Sequence, residues 1–352
     1  MVFYIAVFIV LIGLGITEAM TNNKKVVFIS GSLLGLMAGL RHYTGYDFTS
    51  YEQYFDEVHS FSQLFDGSIR LEPGYLFLVA LFRTLGFNYY TFVLFFSLIS
   101  LILLTIFLYK YVSYPSFVMV YYYARYFLAR DMGQVRASLV AIVLLFAIPY
   151  IQKKEPLKFL AIIIAASMFH YSAILFLGIY VLHYILKDIT FKKAFILMAL
   201  AIVMGFIIQN PSLFISVIPE SYKNYFTSPS HASGAWLEYP ILWMQILIFI
   251  GSVYFIRKDQ SDEKGWYNIL ATAYLIAILA LLATGRLETV GGRVSTMFAT
   301  TEILLVPYLF QNITRYKMIN IIGFVGFSTV VFILIFIISG MYNQYIPYQT
   351  IF

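Results

Sequence analysis

Apolar residues run through this chain in blocks of 14 to 24, each block broken by a short polar island. A bilayer-spanning helix needs roughly 17–25 mainly apolar residues. On that measure the pattern predicts an all-α, polytopic membrane helical bundle. The expected spans lie near 2–18, 25–40, 89–109, 115–131, 133–151, 157–170, 171–187, 191–209, 240–256, 266–284, 294–311 and 317–340, about twelve in all. Those at 157–170 and 171–187 are short, or form one long helix broken near His170. Residues 74–87 are apolar but too short to cross, and Arg83 interrupts them, so they read as a re-entrant helix. The polar remainder forms a first extracytoplasmic loop, 40–74, and a second, 210–239, within a single transmembrane domain, 1–352.

Composition agrees. The chain is 61% hydrophobic and 11% charged, with a mean hydropathy of +0.83, whereas soluble domains carry about 25% charged residues. It has no cysteine, which excludes disulfides, thiol catalysis and thiolate metal sites. Residues 1–17 lack a basic start and a small-residue cleavage site and read as a retained span. The net charge of +6 comes mainly from loop lysines and calls for no nucleic acid.

Those lysines orient the bundle. Lys24/Lys25, Lys110, Lys153/Lys154/Lys158, Lys187/Lys192/Lys193, Arg257/Lys258/Lys264 and Arg315/Lys317 recur at alternate ends of the spans, as cytoplasmic cations do. The opposite set holds eight arginines, at 41, 70, 83, 125, 130, 136, 286 and 293, and a single lysine, Lys223. Positive-inside sorting does not prefer lysine to arginine, but the guanidinium fork suits a bidentate grip on phosphate or carboxylate. Either these arginines hold an anionic ligand, or they pair with acids such as the six carboxylates of loop 40–74.

The outer islands carry the candidate chemistry. RHYTGYDFTSY sets Arg41, Asp47 and Tyr51 together at the end of a span. In EPGY, Glu72 precedes a proline suited to a first helical turn, and is either a helix cap or a substrate contact. ARDMGQVR places Arg130 and Asp131 at the end of one helix and Gln134 and Arg136 at the start of the next. A helix start beside Arg136 would cradle an anion, while pairing of Asp131 with an arginine is the plainer alternative. SMFHYSA puts His170, an acid or base near neutral pH, between two short helices. TGRLETVGGRVS adds Arg286 and Arg293 around a Gly-Gly pair, and Tyr222, Tyr225, His231 and Trp236 offer a lid or stacking surface. No paired-histidine, DxD-type or GxSxG pattern appears, so no metal site is expected.

In this order, Arg41–Gly45–Asp47–Tyr51, Glu72–Pro73–Gly74, Gly133–Gln134–Arg136 and Phe169–His170–Ser172–Ala173 resemble the EpsG family of Wzy-type polysaccharide polymerases, over roughly residues 40–190. The resemblance implies a membrane glycosyltransferase related to the GT-C class. It would join oligosaccharide repeat units carried on undecaprenyl pyrophosphate, at the outer face of the bacterial cytoplasmic membrane. Its partners would be those lipid-linked oligosaccharides, membrane lipids and a chain-length regulator, with no cofactor. In that setting Arg136, Arg286 and Arg293 would hold the donor pyrophosphate, with Arg41 a further candidate. His170 or Asp47 would serve as general base, Glu72 would orient the acceptor or anchor the re-entrant helix, and Asp131, Gln134, Tyr51 and Arg130 would support them. A flippase of the same lipid-linked units, an O-antigen ligase and a membrane O-acyltransferase are the rival classes.

Overall fold

The computed structural model describes residues 1–64, 68, 69, 71–218, 223, 226, 227, 236–285 and 287–352. It is all-helical; the one extended pairing among these residues is an isolated antiparallel bridge between Arg41 and Thr350. Seven helices among the described residues are long and apolar enough to cross a membrane: Val2–Thr21, Tyr89–Tyr111, Val135–Gln152, Phe191–Ile208, Pro240–Lys258, Lys264–Thr284 and Lys317–Ile338. The other expected spans are shorter or interrupted. Val26–Gly39 has 14 residues and Pro156–Ser167 has 12, while the segment expected to re-enter is the 12-residue helix Pro73–Thr84. The expected 294–311 span is two helices, Glu288–Ala299 and Glu302–Ile313. Its break falls at Thr300–Thr301, where the Thr301 hydroxyl donates to the Phe298 carbonyl at 2.9 Å and competes with the helical ladder. The 115–131 stretch is helical throughout but passes through a π-helical turn, Tyr123–Phe127.

The chain groups into two compact units. The first comprises Met1–Phe146, Ile164–Tyr171 and Ile313–Phe352. Its tightest packing joins Val26–Gly39 to Tyr89–Tyr111. Gly31, Gly35 and Gly39 recur at four-residue spacing, and a Cβ on each would lie 2.0 Å from Thr105 Oγ1, 3.0 Å from Leu98 Cδ2 and 2.7 Å from Leu94 Cδ1. Small residues at that spacing let membrane helices approach closely. Glu18, buried on Val2–Thr21, accepts the Ser116 backbone N–H at 2.7 Å and so caps Pro115–Tyr122 from a neighbouring helix. The chain's last residues fold back onto this unit: the Tyr4 hydroxyl donates to the Tyr345 carbonyl at 2.6 Å, and the Tyr348 hydroxyl to the Met37 carbonyl at 2.8 Å.

The second unit comprises Ala147–Ile163 and Ser172–Asn312. Lys264–Thr284 is its axis, packed against Phe191–Ile208, Pro240–Lys258, Glu288–Ala299 and Leu177–Leu186. On the axis, the Asn268 amide accepts from Ile189 N–H at 2.8 Å and donates to the Lys187 carbonyl at 2.6 Å, tying down the loop before Phe191. Tyr274 donates to the buried Glu302 carboxylate at 2.6 Å, tying the start of Glu302–Ile313 to the axis.

Candidate functional site

The site of the first unit is assembled by backbone contacts among the polar islands. Glu72 adopts an extended conformation and Pro73 opens the helix Pro73–Thr84. The next residue, Gly74, donates its N–H to the Met168 carbonyl at 2.7 Å, and a Cβ there would sit 2.8 Å from the same oxygen. Only glycine allows EPGY to lie directly against the SMFH turn. That contact brings the Glu72 carboxylate within 3.4 Å of the Tyr171 N–H and 3.9 Å of His170 Nδ1. Glu72 stands at the N-cap position without a side-chain capping bond; its other oxygen instead accepts from the Arg136 guanidinium. Arg136 rises from the first turn of Val135–Leu145, with Gln134 at the N-cap position and its side chain making no capping bond.

Two tyrosines frame that guanidinium. Its carbon lies 5.5 Å from the Tyr51 ring centroid and 5.3 Å from that of Tyr75, and it also donates to the Tyr51 hydroxyl. Aromatic faces attract a cation and are worth more where water is excluded. The Glu72 and Arg136 side chains are only 9% and 18% exposed, and His170 is 21% exposed. The result is a half-sheltered cluster of one carboxylate, one guanidinium, one imidazole and two phenols.

The RHYTGYD loop is seated beside it. Gly45 has φ +102°, a region that L side chains rarely adopt, and a Cβ would lie 1.9 Å from the Met132 carbonyl, so this loop rests on the DMGQ turn main chain to main chain. The loop is also held by the C-terminal segment: His42 N–H donates to Gln349 at 2.9 Å and Gly45 N–H to Gln344 at 3.0 Å. The Tyr345 ring fills the space between the turns, its hydroxyl donating to the Leu128 carbonyl at 2.6 Å. Asp47 begins the helix Phe48–Glu57, half-buried and making no capping bond.

The remaining expected residues divide between scaffold and surface. Asp131 is buried and accepts from three hydroxyls, Ser138 at 2.8 Å, Ser100 at 3.2 Å and Tyr122 at 2.5 Å. Hydroxyl donors, and not an ion pair, therefore make its hydrogen bonds. Arg130 is buried with its guanidinium 4.0 Å from the Tyr126 ring centroid, and Arg125 lies 4.8 Å from the same ring. Arg41 is 1% exposed and donates to the Ala38 carbonyl. Gln134 is exposed. Arg293 lies exposed on Glu288–Ala299 in the second unit. Arg286, Arg70, Tyr222, Tyr225 and His231 lie outside the described residues, as does the side chain of Trp236.

Among the described residues Arg136 pairs with Glu72, and Arg83 with Asp56 at 3.3 Å. Sequence reasoning did not single out Tyr75, Ser138 or Tyr345. Tyr75 was visible as the last letter of EPGY, and Ser138 lies seven residues, about two helical turns, beyond Asp131. Tyr345 carried no local signal. Among the described residues no group of three or more His, Asp or Glu gathers as metal ligands would.

These features define a polytopic, all-helical membrane protein whose polar side chains are gathered by motif turns. The chain belongs to the EpsG family, whose model matches residues 24–350 of its 352. No curated protein and no solved structure matches it. Family membership suggests a polymerase-type membrane glycosyltransferase of exopolysaccharide or O-antigen assembly.

Proposed function

We propose that the protein is a Wzy-type polymerase, related to the GT-C class, that joins undecaprenyl-pyrophosphate-linked oligosaccharide repeat units. It would act at the outer face of the bacterial cytoplasmic membrane, without a cofactor. The observation that carries this reading is the Glu72–Arg136–His170 cluster, drawn from three of the four motifs and framed by Tyr75 and by Tyr51 of the remaining one. In the reaction an acceptor sugar hydroxyl attacks the anomeric carbon of the donor. The bond to the lipid pyrophosphate breaks, and its electrons leave with the phosphate oxygen. The departing charge needs a fixed cation in a water-poor setting, which Arg136 supplies. Arg293 and Arg286 are proposed as further pyrophosphate contacts, because a diphosphate carries more charge than one guanidinium neutralises.

The acceptor proton needs a base. His170 fills that role with Glu72 behind it: the carboxylate near Nδ1 favours a proton on that nitrogen and leaves Nε2 basic. Glu72 is thereby a positioning group for both Arg136 and His170. Asp47, at the helix start beside Tyr51, is the alternative base. The apolar surroundings would receive the polyprenyl tail, and a chain-length regulator would dock on the same membrane face.

The test is purified protein in nanodiscs with an undecaprenyl-pyrophosphate-linked repeat unit, products being resolved by size with and without chelator. A product ladder is expected in both conditions. Arg136→Ala and His170→Ala should each lower polymer formation by about 10²-fold or more, the usual contribution of a charge-stabilising donor or a general base. Full activity in both variants would refute the cluster as the reaction centre.

A further inference from the structure

Beside the cluster lies a second, buried-walled site. A cavity of about 10 Å³ is lined by Arg41, Tyr51, Tyr75, Tyr89, Ser97 and a wall of Phe92, Val93, Phe96 and Val135. Three polar atoms of this lining are buried and make no hydrogen bond to protein: Arg41 Nε, the Tyr75 hydroxyl and Ser97 Oγ. Their residues are 1%, 0% and 3% exposed. Each of the three can donate a hydrogen. The remaining phenols are engaged elsewhere, Tyr89 donating to the Phe48 carbonyl at 3.1 Å and Tyr51 accepting from Arg136.

Charge decides what such a cavity takes. A guanidinium cannot shed its proton, so a buried arginine needs a counter-charge. Among the described residues no carboxylate lies within ion-pair distance of Arg41, whose guanidinium donates to the Ala38 carbonyl and sits over the Phe48 ring, 5.7 Å from its centroid, while the charge of buried Asp131 reaches it from beyond that distance. Glu72 is paired with Arg136, and Asp131 accepts its hydrogen bonds from three hydroxyls, so neither accepts a hydrogen bond from Arg41. The space has room for one occupant of about water size and is far too small for a diphosphate. We infer that Arg41, Tyr75 and Ser97 form a buried monovalent-anion site that takes a halide such as chloride, held by one charged and two neutral donors.

The ion would neutralise Arg41 and, through Tyr75, fix the ring that frames Arg136. It is a structural site, and it does not rest on the polymerase reading.

The experiment uses the full chain in detergent, comparing thermal unfolding in sodium chloride, sodium bromide and sodium gluconate at equal ionic strength. Both halides should raise the midpoint by several degrees over gluconate, because a ligand bound only to the folded state stabilises it in proportion to the logarithm of its concentration. Ser97→Ala should shrink that difference. Ser97→Asp, which builds a fixed negative charge into the wall, should abolish it while keeping the midpoint high in all three salts. Crystals grown in bromide should show an anomalous peak among Arg41 Nε, Tyr75 Oη and Ser97 Oγ. Equal midpoints in the three salts, or density at that position with no anomalous signal, a water, would overturn the assignment.

Discussion

A carboxylate and a guanidinium that are mostly shielded from water depend on each other more than a surface pair does. Removing one partner of a buried pair leaves an uncompensated charge and costs about 3–5 kcal/mol. For Glu72 and Arg136, which keep some exposure, Glu72→Gln or Arg136→Gln alone should cost about 2 kcal/mol. The double variant should cost clearly less than the sum, as a denaturant-unfolding cycle would reveal; strict additivity would mean that the two do not interact. Each member of this pair was visible in the sequence as a polar residue at the edge of an apolar block. Their partnership was not, because it joins positions 64 residues apart, and the Tyr171–Glu72 contact spans 99. Local pattern reports where polarity is out of place; only the packed helices decide which polar groups meet. Asp131 makes the same point, since its neighbour Arg130 was the obvious partner and three hydroxyls take the carboxylate instead, Tyr122 from its own helical stretch and Ser100 and Ser138 from two others.

Among elements, the turns hold one another through glycine. Gly45→Ala combines an unfavourable φ with a Cβ 1.9 Å from a carbonyl oxygen, whereas Gly74→Ala keeps ordinary dihedrals and meets its oxygen at 2.8 Å. Gly45→Ala should therefore be the more damaging by at least about 1 kcal/mol, the usual penalty for a side chain in the left-handed region. The check is the yield of monodisperse protein and its unfolding midpoint for each variant; a milder effect at Gly45 would contradict the docking geometry. The helix ends at DMGQ and at His170 were legible because glycine and polar clusters interrupt apolar runs there. The threonine break at 300–301 was not, since threonine is common inside membrane helices and stops one only when its hydroxyl finds a carbonyl. The triple-glycine stripe on Val26–Gly39 stood in plain view, yet its meaning needs the partner helix that Thr105, Leu98 and Leu94 identify.

For the whole molecule, hydropathy gave the membrane class at once, while the grouping into two compact units has no counterpart in composition, since apolar blocks look alike on both sides of the divide. The lysine and arginine sorting predicts topology, and a chain without cysteine is a clean background for testing it. Gln134→Cys and Arg293→Cys, both at exposed positions, should react with an impermeant maleimide added to intact cells. Lys24→Cys and Lys153→Cys should react only after permeabilisation. Labelling of positions 134 and 293 from opposite sides would exclude a shared pocket for Arg136 and Arg293. The seating of the RHYTGYD loop has one more implication. Because peptide groups and glycines carry that seat, the outward rings of Tyr43 and Tyr46, more than half exposed, are not needed to keep it in place. Such a loop is a mount with interchangeable fittings: point substitution at its rim leaves the backbone seat, and the alignment of the groups beneath it, unchanged.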